Sequence, residues 1–180
     1  MVRKKEYFEI KIEELQSLGQ WAADCAERAL SIYEHVVSED LRPRNAINGI
    51  RYFAQSGKRT QQLRKLAMDA YRASIETKDP AASAAAQSAS LAAASAYTHP
   101  FTDINQSKHI LGSAVYSALS IELNNPSDHK IGDREIELAI DSVTREIVGL
   151  LNKMPAQKIG TKRIDQLFYQ LDRGIRNRYG

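Results

Sequence analysis

Apolar residues recur at helical spacing through most of the chain. Between residues 12 and 37 they fall at Leu15, Leu18, Trp21, Cys25, Ala29, Tyr33 and Val36, a stripe held over several turns of α-helix. A polar junction at 38–42 precedes Pro43, which suits the first residue of a second helix because its missing N–H has no partner to lose there. That helix carries Ala46, Ile47, Ile50 and Phe53 and stops at Gly57, a common C-terminal signal. A third helix is predicted over 58–77, with Leu63, Ala67, Ala70 and Ala73 on one side. Asp79 and Pro80 read as the cap and first residue of a fourth.

The fourth segment, 80–97, contains ten alanines with serines between them. Its interior holds neither Gly nor Pro, so it reads as helix and not linker, Ala having the best helix propensity. His99, Pro100 and Phe101 break it, and Thr102 or Asp103 can cap a fifth helix ending near Leu123. Residues 124–132 form the clearest loop. A sixth helix is expected over 133–153, closed by Pro155, and a seventh after Gly160 and Thr161. Only 8–12 alternates like a strand, too briefly to build a sheet. The expected fold is all-α, a single-domain bundle or orthogonal array of about seven helices around a central Ala-rich helix. One domain spans 1–180, with 1–11 as an N-terminal extension, irregular or a short strand.

Composition fits an ordinary globular chain: 43% apolar and 26% charged residues. No apolar run approaches the roughly 20 residues of a membrane span, and no apolar core follows the basic N-terminus as in a secretion signal. Cys25 is the only cysteine, which fits a reducing cytoplasm, and its place on the apolar stripe reads as packing. Net charge is +3, unevenly spread: residues 1–40 carry −4 and residues 41–78 carry +7. A basic middle segment can attract an acidic partner or nucleic acid, or be an ordinary solvated face.

Reaction chemistry is hard to find. The histidines are His35, His99, His109 and His129, without HExxH or CxxC spacing, so no metal is expected and no cofactor. Phosphate-binding glycine motifs and nucleophile elbows are absent. His99, Asp103 and His109 flank the break between the fourth and fifth helices and are the candidates for a ligand pocket, though capping and loop roles explain them as well. For nucleic acid, the cations from Arg42 to Arg72 supply charge. Phe53 falls on the core stripe instead of offering a stacking platform, so that partner is disfavoured.

A polar constellation lies where the first helix meets the second. Asp24 and Arg28 are four apart and can pair on one helix face. Trp21 is one turn earlier, and Asp40, Arg42 and Arg44 follow across the turn. The set can tie two helices together by bidentate arginine–carboxylate bonds or present a binding surface.

These residues also carry a likeness. The run 21–28, Tyr33-Glu34, the block 40–47, the Ala-rich 81–96, the histidine segments at 97–99 and 109–114 and the tail 159–167 together resemble the Imm5-like immunity proteins of bacterial polymorphic toxin systems. The resemblance implies a cytoplasmic, non-enzymatic protein that binds a cognate toxin and covers its active site. The surface expected for it is the turn 38–45 with Arg51, Arg59 and Arg64. Alternatives are a basic nucleic-acid-associated protein, and an enzymatic or small-ligand-binding domain using the His99 break. Homodimerisation is left open.

Overall fold

In the computed structural model, which describes residues 6–179, the chain is all-α. Among the described residues eight helices follow in order: α1 (Ile12–Val36), α2 (Arg42–Ser56), α3 (Gln61–Glu76), α4 (Pro80–Ala94), α5 (Ile104–Leu123), α6 (Ile131–Asp141), α7 (Arg145–Asn152) and α8 (Arg163–Arg176). A single 3-10 turn, Ser95–Tyr97, ends α4. No helix among them is long and apolar enough to cross a membrane.

The local chemistry explains most boundaries. Pro43 occupies the second position of α2, and Gly57 ends it with φ of 67°, the left-handed conformation that glycine adopts without a Cβ clash. Thr60, Asp79 and Asp103 accept hydrogen bonds from the first free backbone N–H groups of α3, α4 and α5.

The alanine-rich α4 is the centre, flanked by α1, α2, α3 and α5. Ala82, Ala85, Ala86, Ala89, Ala92 and Ala93 are completely buried, so neighbouring backbones approach closely. The close approach lets serine hydroxyls reach across to backbone carbonyls. Ser88 donates to Ser113 O, Ser90 to Ala67 O, and Ser120 to Ala81 O, at 2.7–2.8 Å. These bonds satisfy groups that would otherwise be costly to bury. Gly112 of α5 continues the theme: a Cβ there would come within 2.7 Å of Leu91. One buried cluster joins Trp21 and Leu30 of α1, Phe53 of α2, Ile110 of α5, Ile147 of α7 and Leu171 of α8.

One expectation needs correction. The segment expected as one helix over 133–153 is two, α6 and α7, parted at 142–144. Ser142 Oγ there lies 3.2 Å from Trp21 Nε1 and Thr144 Oγ1 lies 2.8 Å from Ser17 Oγ, while Val143 is buried between them. The side chains are thus fixed to α1 in a geometry a continuous helix would not give. The apolar spacing runs unchanged across the break, so periodicity alone could not reveal it. Near the N-terminus, Ile12 starts α1 and no strand forms among the described residues. Tyr7 makes an isolated antiparallel bridge with Phe101, with Phe8 N–H donating to Pro100 O and Thr102 N–H to Glu6 O. Residues 1–5 of the expected extension lie outside the described residues.

Candidate functional site

The constellation around the first interhelical turn divides into two groups, one that joins α1 to α6 and one that joins α1 to α2. Trp21 points inward, and its indole N–H donates to Ala139 O at 3.1 Å, fastening α1 to α6. Arg28 does not pair with Asp24. It binds Glu135 of α6 with both Nε and Nη2, at 2.6 and 2.9 Å. A bidentate bond to a largely shielded carboxylate outweighs an exposed i,i+4 pair worth a few tenths of a kcal/mol.

The second group joins α1 to α2. Asp40 accepts from the Tyr33 hydroxyl at 2.6 Å, from the Arg42 backbone N–H at 3.0 Å, and from Arg42 Nη2 at 2.6 Å. With the Arg42 guanidinium as the main cause, the Asp40 carboxyl is held down at about 2. Arg42 reaches on to Glu76 at the end of α3 at 2.5 Å. Arg44 grips Glu34 with Nε and Nη2 and donates to Glu27 through Nη1 at 2.6 Å. Arg51 lies 3.1 Å from Asp24 and 3.2 Å from Glu27. Four carboxylates of the first segment, Asp24, Glu27, Glu34 and Asp40, thus meet three arginines of the second, Arg42, Arg44 and Arg51, across one interface. Of the arginines expected to face a partner, Arg51 is engaged here and Arg64 stacks over the Tyr97 ring at 4.5 Å. Arg59 is exposed.

At the helix four–five break His99 lies close enough to His109 to add to burial in lowering its pKa, and Asp103 stands at the cap of α5. His99 is exposed, stacks on Phe101 and donates its backbone N–H to Gln106. Asp103 caps α5 through Asn105 N–H at 2.8 Å. His109 is half-buried, and burial holds its pKa below the usual imidazole value. A cavity of about 770 Å³ lies beside them, lined by Asp103 but by neither histidine. Among the described residues no three His, Cys, Asp or Glu side chains are grouped to hold a metal.

Two features escaped the sequence reading. Arg163 of α8 binds Glu122 of α5 at 2.6 and 2.8 Å and Asp133 of α6 at 2.8 Å, a three-helix tie between residues distant in sequence. On α3, Met68, Tyr71 and Ile75 form a stripe exposed at 52, 42 and 65%. Its spacing of three and four was visible in the sequence, on the side of α3 away from the core stripe.

The chain matches, over residues 9–146, the family described as Imm-5 like putative immunity protein. No curated protein and no solved structure matches it. The match runs from the approach to α1 into the first turn of α7 and takes in the whole α1–α2 ion-pair interface and the alanine-rich α4. The tail resemblance at 159–167 falls outside it. With the greater part of its length covered, the chain belongs to the Imm5-like immunity protein family.

Proposed function

We propose that this chain is a cytoplasmic immunity protein of a bacterial polymorphic toxin system, a single helical domain that binds a cognate toxin and covers its active site or substrate path. Family membership is the observation that carries the reading. A blocking protein needs a rigid body and a complementary surface, and takes no chemical part itself. The arginine–carboxylate interfaces supply rigidity: α1 is tied to α2 by Arg44, α1 to α6 by Arg28, and α5 to α6 and α8 by Arg163.

The rival readings draw less support. Arg42, Arg44, Arg51, Lys65 and Arg72 all pair with carboxylates of the chain, which leaves less free charge for a phosphate backbone. An enzymatic reading through His99, Asp103 and His109 gains little from the cavity of about 770 Å³, which Asp103 lines and neither histidine does.

Co-expression tests the proposal. Bacteria producing the toxin encoded beside this gene should survive when the chain is co-produced and die without it. Equal killing in both cultures, with the chain present and folded, refutes the reading.

A further inference from the structure

The proposed function leaves open which surface meets the toxin, and the face made by α3, α4, α5 and α8 has features that the α1–α2 turn lacks. Small side chains of α4, Ser83 and Ala84, form the floor of a depression of about 450 Å³ between α3 and α5. Tyr71 and Ile75 stand on one bank, Leu119 and Leu123 on the other. Gln87 and Tyr116 line both this hollow and the cavity of about 770 Å³. The larger hollow is closed on its far side by Ile164 and Phe168 of α8. Along α4 the two hollows run from Pro80 to Leu91, about 16 Å. Contiguous exposed apolar side chains of this kind mark sites of association.

The charges indicate what fits. Lys108 and Lys158 line the larger hollow and have no ion pair among the described residues. Two carboxylates line that hollow as well: Asp103, which caps α5, and Asp165, beside Gly160 at the start of α8. By contrast, the arginines at 42 and 44 are fully engaged with acidic groups of α1, the 38–40 turn and α3.

We propose that a segment of the toxin seats on this face, with apolar side chains in the two hollows and an acidic group over Lys108 and Lys158. The proposal rests on the immunity reading and places its binding surface. The probe is the toxin domain encoded beside the gene, inactivated by mutation, with its Kd measured for wild type and variants. Ile75→Glu and the double variant Lys108→Glu, Lys158→Glu should each weaken binding about tenfold or more, while Arg59→Glu stays within about twofold. All these positions are exposed, so thermal midpoints should match wild type; should Ile75→Glu lower its midpoint, Ile75→Ala and the lysine pair decide. Wild-type affinity in both groove variants, or loss confined to Arg59→Glu, overturns the placement and leaves the immunity reading standing. A wild-type chain that binds no toxin overturns both. Light scattering adds a further outcome: a dimer that Ile75→Glu dissociates would give this face to a second copy and overturn the proposal.

Discussion

At Asp40 a single carboxylate receives a phenol, a backbone N–H and a guanidinium, all supplied by residues within seven positions of it. Because its folded pKa is about 2 against an ordinary 3.8, the unfolded chain takes up the proton more readily. The stabilisation is therefore fully present above about pH 4 and is lost as pH falls towards 2. Asp40→Asn should lower stability at pH 7 by about 1–3 kcal/mol in urea unfolding and flatten the acid slope between those limits. A slope unchanged by the substitution would assign the acid transition to other carboxylates. Cys25 behaves oppositely: burial, with Asp24 nearby, pushes its thiol up to about 12. It should resist a thiol reagent at pH 8 in the folded protein and react promptly in denaturant. At this scale the sequence pointed to Asp24, Asp40, Arg42 and Arg44, and not to the partners Glu27, Glu34 and Glu76 that complete the α1–α2 cluster. Asp24 and Arg28 satisfied the local rule for a pair, yet Arg28 found Glu135 more than a hundred residues away. Partners brought in by tertiary packing leave no local trace.

For the elements, helical period and turn chemistry were strong enough to be read directly. Gly57, Asp79-Pro80 and Asp103 act where their chemistry indicated. The alanine-rich stretch is central because it is small, and smallness has a measurable cost if removed. Ala89→Leu would place three extra carbons at a completely buried position, and should destabilise the fold by about 1–3 kcal/mol. Denaturant titration reads that directly, and a neutral result would mean that α4 packs more loosely than its buried alanines indicate. The α6–α7 break escaped prediction because the apolar spacing runs on through it, and the bonds of its side chains to Ser17 and Trp21 of α1 are tertiary. Around the helix four–five break, nearness in sequence did bring His99 and His109 close enough for the charge of one to bear on the other, while Asp103 is taken up in capping α5 and His99 stacks on Phe101.

Across the whole molecule, charge is spent mainly on construction. Acidic α1 against basic α2 makes an internal joint that takes up Arg42, Arg44 and Arg51 of the +7 segment, while Lys65 and Arg72 pair within α3. What remains free on the outside is an apolar stripe on α3 and a pair of hollows along α4, features that a recognition protein can use. The direct test is a titration of the purified toxin domain with this chain while the toxin's reaction rate is followed. Neutralisation by occlusion predicts that the rate falls in proportion to added protein and reaches baseline at stoichiometric amounts. A toxin that keeps its full rate under an excess of folded chain would contradict it.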